Sequence, residues 1–338
     1  MNDVKTEERT LDFPALTLDE CASLILNTER ALILMHVRPD GDTVGSASAL
    51  YRIFESLGKE AYLACPDPIP DRLAFLTEGM KLAIDPETKE PLTDLSRLEA
   101  VSIDVPSEKQ LGFIAEMLKV SYSIDHHAKS TPFARNYTVS SASSAAEVLF
   151  AVAERLEELG KITLDARIGA PMYAAMTSDT GRFSYPSATP TTYRRAARLV
   201  ELGIDHTDIC HRLFSQKTRE ELRAEGYVAT RMMTAANGKI SYFTLTLEEC
   251  ESLGLKRDDF ECAIDVVRKL IGCVIAVTVK ESEPGVFRAS IRSTGPAIAE
   301  VAARHGGGGH FLAAGCSPVG ECVEDAAEAL IRDLIPLL

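Results

Sequence analysis

The chain has 338 residues, which at roughly 150 residues per domain points to two domains. Its 46% hydrophobic and 25% charged residues exclude global disorder, and no apolar run reaches the roughly 18 residues of a membrane span. A formal charge of −14 and a pI near 5.1 exclude a non-specific duplex-DNA binder, but not an enzyme of small anionic substrates whose positive charge is supplied by bound metal.

The first residues show no basic n-region followed by an apolar h-region, so no signal peptide is expected and the cytoplasm is the expected location. The segment before Leu11 reads as a mobile tail. The eight cysteines contain no C-x-x-C pair and read as mostly buried, reduced thiols. The run ALILMHV (31–37) has the continuous apolar character of a strand buried on both faces. A Pro-Asp-Gly turn follows, then a helical stripe over 43–57. Strands are predicted at 60–65, 98–104 and 120–125, with a helix at 107–118 between the last two. Helices are predicted at 143–159, 164–176 and 190–202. This βαβ rhythm implies an α/β fold with a doubly wound, mostly parallel sheet over 1–203.

A polar helical connector is expected over 204–225 and a smaller α+β domain over 226–338. There the pattern predicts a strand at 227–235, an Asn237-Gly238 hairpin turn and a strand at 240–246. It continues with a helix at 258–270, strands at 273–281 and 286–293, a helix at 296–304 and a closing helix at 323–337. The glycine run at 306–309 is followed by His310, read as opening a small-residue helix.

Acidic residues and histidines gather where the apolar runs end. His36, Asp40 and Asp42 follow the first strand, Asp104 ends another, Asp125-His126-His127 end a third, and Asp179 ends a helix. Open α/β sheets bind ligands outside the carboxyl ends of their strands. Imidazole with carboxylate suits Mn, Fe, Zn or Co, and some six such ligands exceed one tetrahedral site and fit a two-metal phosphoryl clamp. Taken singly, each has another reading: Asp104 and Asp179 as helix caps, Pro39-Asp40-Gly41 as a turn, His36 as a packed histidine. These readings must all hold at once for the cluster to be accidental. In the second domain, Gly307, Gly308 and Gly309 with His310 can cradle an anion, and Arg292 in the segment SIRS can grip a phosphate; a flexible loop and a surface charge are the alternatives.

The order of these motifs resembles the DHH phosphoesterase superfamily: His36 to Asp42 with Gly45-Ser46, then Asp104, Asp125-His126-His127 and Asp179, then SIRS and GGGH-x-x-AAG. The second-domain motifs are similar to the DHH-associated domain. Size and Ser178-Asp179-Thr180-Gly181-Arg182-Phe183 favour the two-domain nanoRNase branch, which also dephosphorylates 3′-phosphoadenosine 5′-phosphate (PAP). The resemblance implies two divalent ions, most often Mn²⁺. His36 and Asp40 would hold one, Asp42, His126 and Asp179 the other, and Asp104 both. His127 would face the substrate phosphate or the leaving oxygen, with Asp125 orienting the histidines. Arg292, Gly307, Gly308, Gly309 and His310 would hold the nucleotide, across a cleft between the domains, and Arg292 or His127 would offset the oxyanion charge that develops in the reaction. The implied substrates are short single-stranded RNA, dinucleotides and PAP, with no membrane association; a homodimer is compatible. Linear or cyclic dinucleotides such as pGpG, pApA or cyclic di-AMP form the alternative substrate class. A metal-dependent nucleotide sensor without turnover is the non-enzymatic alternative.

Overall fold

The computed structural model describes residues 13–309 and 311–338; the segment before Leu11 and His310 lie outside the described residues. The chain separates into two units, one ending at Gln216 and the other spanning Lys217–Leu338. The division falls inside the segment read as a connector.

The first unit contains, in order, α1 (Leu18–Asn27), β1 (Arg30–Leu34), α2 (Gly41–Ser56), β2 (Glu60–Ala64), β3 (Glu99–Ile103), α3 (Ile114–Met117), β4 (Tyr122–Asp125), β5 (Arg135–Thr138), α4 (Ala145–Glu158), α5 (Ala166–Asp179), α6 (Pro190–Glu201) and α7 (His206–Cys210). The five strands pair in parallel in the order β2-β1-β3-β4-β5. In β1, Ala31 and Ile33 pack on one side with residues of α2, α4 and α5, while Leu32 and Leu34 pack on the other with Ile114 and Leu111. Burial on both faces is why this strand is apolar throughout. The strand order reverses direction between β1 and β3, so this is the sheet's switch point, where open α/β sheets bind ligands.

Two expectations here are corrected. The helix expected at 107–118 is broken: a 3₁₀ turn (Glu108–Leu111) and the short α3 flank Gly112, whose φ of 52° no continuous helix accepts. The edge strand β5 escaped the reading because its sequence RNYT is polar and only partly buried.

The second unit contains α8 (Arg219–Arg231), β6 (Met233–Ala235), β7 (Ile240–Leu245), α9 (Leu247–Leu253), α10 (Ala263–Val267), β8 (Ile275–Glu283), β9 (Val286–Ser293), α11 (Ala299–Arg304), β10 (Gly308–Gly309), β11 (Ala313–Cys316) and α12 (Val323–Leu334). Its mixed sheet runs β10-β11-β9-β8-β7-β6, with β7 and β8 parallel and the other neighbours antiparallel. One face carries α11 and α12, the other α8 and α10. The strand expected at 227–235 is confined to Met233–Ala235. A capping box between Thr218 and Glu221 starts α8 instead, and Ala224 and Val228 bury its apolar stripe beside Phe243 and Phe260. The helix expected at 258–270 is reduced to a 3₁₀ turn (Arg257–Phe260) and α10. The small-residue segment after the glycine run is the strand β11, not a helix.

Packing of α2 against α5 is what positions the site, and it depends on two glycines. A Cβ at Gly45 would lie 2.5 Å from the Pro171 carbonyl oxygen and 2.9 Å from the Ala175 Cβ, and one at Gly41 would fall on the Ser178 side chain. Gly45→Ala is therefore expected to destabilise the fold by about 1–3 kcal/mol through overpacking. Thermal unfolding of the variant measures this; an unchanged midpoint would contradict the close packing.

Candidate metal centre

β1 delivers His36 and, after a reversal of the chain, Asp40 and Asp42 at the start of α2. The His36 Nδ1 lies 2.8 Å from the Val37 carbonyl oxygen, which turns Nε2 toward Asp104 Oδ2 at 3.5 Å and Asp40 Oδ1 at 3.8 Å. Asp40 is the N-cap of α2, its Oδ1 accepting from the Asp42 and Thr43 backbone amides at 3.0 and 3.1 Å. It thus fills the turn role and still faces His36.

Asp42 is 2% exposed and serves two helices at once. It stands in the first turn of α2, and its carboxylate accepts from the Ala145 amide at 2.7 Å and the Ala146 amide at 3.3 Å, at the start of α4. Ser46 Oγ donates to it at 2.9 Å. Two helix N-termini therefore stabilise its charge. Its Oδ2 is 3.6 Å from His126 Nε2.

Asp104 leaves the end of β3 with φ 61°, a left-handed conformation that aspartate tolerates better than most residues. It is not a helix cap. It is 2% exposed, and its Oδ1 is a buried oxygen with no hydrogen-bond partner among the described residues. That oxygen lies 3.5 Å from His126 Nε2 and 3.6 Å from His127 Nδ1, too far for good hydrogen bonds. Asp179 terminates α5, where the helix dipole disfavours a carboxylate, and its Oδ2 is 3.7 Å from His126 Nε2.

At the end of β4, Asp125 Oδ1 accepts from the His126 and His127 backbone amides at 2.8 and 3.3 Å and faces His127 Nδ1 at 2.8 Å. This orients the His127 ring and leaves its Nε2 for other partners, while the His126 Nδ1 faces the Ala142 carbonyl oxygen at 3.4 Å.

The electrostatics match a site built for cations. Burial, then the Asp104 and Asp179 carboxylates, push Asp42 well above the usual carboxylate range. Burial and the neighbouring Asp104 and Asp40 charges bring Asp179 to about 6 against the pull of His126. Burial opposes protonation of His36 and His126, but Asp104, joined at His126 by Asp42 and Asp179, outweighs it and raises them to about 9 and about 10. At His127 the pairing with Asp125 likewise outweighs burial and raises the imidazole.

Three groups bring their donor atoms within 4.8 Å of one another: His36-Asp40-Asp104, Asp42-His126-Asp179 and Asp104-His126-His127. All six expected ligands thus converge, with Asp104 common to two groups. The unpartnered Asp104 oxygen, the crowded carboxylates and the N/O donor set fit divalent ions. His36, Asp40, Asp104, His126 and Asp179, with His127, border a cavity of about 360 Å³ at the switch point.

A model of the DHH family N-terminal domain matches residues 30–178. A relative from Thermus thermophilus, a bifunctional oligoribonuclease and PAP phosphatase NrnA, is 31% identical over 305 residues, covering 89% of this chain and 87% of that protein. This chain belongs to the DHH family. It is a phosphoesterase of the NrnA-like branch. The Bacillus subtilis protein of the same name is 27% identical over 305 residues, 88% of this chain and 91% of its own. In fold, the chain is similar to an exopolyphosphatase-related protein from Bacteroides fragilis, with a TM-score of 0.82, 23% identity and coverage of 95% and 96% of the two chains.

In the second unit of this DHH-family chain, Arg292 on β9 pairs in register with Ala313 on β11, so it lies on the strand next to the glycine hairpin. Its Nη1 donates to the Ile291 carbonyl at 3.0 Å. Gly307 and Gly309 have a packing role: a Cβ at the first would fall on the Gly315 carbonyl and at the second would lie 2.5 Å from that of Ala313. Gly308 has open space there. His206 and His211 are exposed. Two cavity-lining residues went unremarked in the sequence, Arg38 and Gln110. Arg38 stands inside the first motif, between His36 and Asp40. No helix among the described residues is long and apolar enough to cross a membrane.

Proposed function

We propose that the chain hydrolyses short oligoribonucleotides to nucleoside 5′-monophosphates and removes the 3′-phosphate of PAP. The convergence of His36, Asp40, Asp42, Asp104, His126 and Asp179 at the switch point carries this reading. The substrate class follows the NrnA relatives, which align along nearly nine-tenths of this chain.

In this reading His36 and Asp40 hold one ion, Asp42, His126 and Asp179 the other, and Asp104 both; Mn²⁺ suits the donors. When bound, two such ions supply an activated water and offset the charge of the phosphoryl group. His127 carries a proton on Nε2 that it gives to the departing ribose oxygen. Asp125 holds that imidazole in place and stabilises its protonated form. Arg292, Gly307, Gly308, Gly309 and His310 are the nucleotide-holding group of the second unit.

Incubation with Mn²⁺ and either pApA or PAP, followed by chromatography, tests the proposal. AMP is expected from both. AMP from pApA alone would restrict the enzyme to dinucleotides, and AMP from neither would refute the substrate assignment.

A further inference from the structure

The cavity at the switch point has two chemically different sets of lining residues. Carboxylates and imidazoles form one. Arg38 and Gln110 belong to the other, and their segments are tied by the Val37 amide donating to the Gln110 carbonyl at 2.8 Å. Arg38 is the sole Lys or Arg lining the cavity among the described residues.

Its setting is unusual for an arginine. Its backbone has φ 53°, a left-handed conformation costly for a long side chain. The Asp67 carboxylate holds it there, accepting the Arg38 amide at 2.6 Å. The turn lets His36 and Asp40 face each other across it, at 3.8 Å. Glycine would satisfy that backbone without strain, so the turn alone does not account for an arginine. The guanidinium is exposed, with no hydrogen bond or ion pair among the described residues, although it borders a cavity rich in carboxylates.

We propose that Arg38, with Gln110 beside it, seats a second phosphate of the substrate, one that is not cleaved. This rests on the oligoribonucleotide reading above. The scissile phosphoryl group has its charge met by the ions that the carboxylates hold. A terminal 5′-phosphate one nucleotide away needs its own countercharge, and an unengaged guanidinium fork supplies two parallel donors for it. A cavity of about 360 Å³ also exceeds what one phosphoryl group fills. Arg38 is thus a specificity residue that favours 5′-phosphorylated short substrates over their 5′-hydroxyl counterparts.

The test compares kcat/KM for pApA and ApA, which differ only in that phosphate, in wild type, Arg38→Ala and Arg38→Lys. Loss of one charge-assisted phosphate contact is expected to lower the pApA/ApA preference by about 10- to 100-fold in Arg38→Ala, mainly through KM for pApA. Arg38→Lys, which keeps the charge without the fork, should recover part of it. A general loss of folding or of ion binding would lower both substrates together and leave the ratio unchanged. An unchanged ratio in Arg38→Ala, with wild type active, overturns the Arg38 assignment alone. Wild type inactive on both dinucleotides overturns the substrate reading and this proposal with it.

Discussion

Asp104→Asn is expected to lower hydrolysis by about a thousandfold, with far-ultraviolet circular dichroism unchanged. In the proposed assignment Asp104 serves both ion positions: it shares one donor group with His36 and Asp40 and another with His126, which also belongs to the Asp42-Asp179 group. Asparagine is the informative substitution because it tolerates the left-handed backbone that Asp104 adopts at φ 61°; alanine would add strain to the loss of charge. The variant should also lose affinity at both positions. His36→Ala should weaken one of the two, since His36 belongs to one group only. Turnover near the wild-type rate in Asp104→Asn would contradict the shared role.

The second large effect concerns metal and protons. In protein stripped of metal, His36 and His126 titrate near 9 and 10, so both are imidazolium at neutral pH. An imidazolium has no lone pair for a metal, so each must release its proton on binding. Apparent ion affinity should therefore rise between pH 6 and about 9 and flatten above about 10, with about one imidazolium proton released per ion, about two for the pair, at pH 7.5. Calorimetry in buffers of different ionisation enthalpy counts them. Saturating Mn²⁺ should also raise the unfolding temperature, since ions bound to the native state at a hundredfold excess over Kd contribute about 2.7 kcal/mol each. Affinity independent of pH, or no thermal shift, would contradict the electrostatic account.

Much of this was legible in the sequence, for identifiable reasons. β1, β3 and β4 are buried on both faces, so each reads as an apolar run, and the residues closing those runs are the ones that meet at the switch point. The contribution of Asp179 is less direct. It reaches the cluster only because α5 lies against α2 through Gly41 and Gly45, a helix contact that spacing along the chain does not encode. The misread elements have local causes. β5 is a polar edge strand, α8 is announced by the Thr218–Glu221 capping box rather than by its mixed apolar content, and β11 is built from Ala and Gly, which carry little strand preference. Arg38 was hidden by its neighbours: in a motif dominated by His36, Asp40 and Asp42, only the cavity and the left-handed backbone set it apart.

In the proposed centre, the ends of β1, β3 and β4, with the end of α5, hold two ions that share Asp104. Anomalous diffraction at the manganese edge, from crystals grown with Mn²⁺, tests it most directly. The account predicts two peaks about 3.5–4 Å apart. One would be bound by His36 and Asp40, the other by Asp42, His126 and Asp179, with Asp104 touching both. A single peak, or two peaks without Asp104 between them, would contradict it.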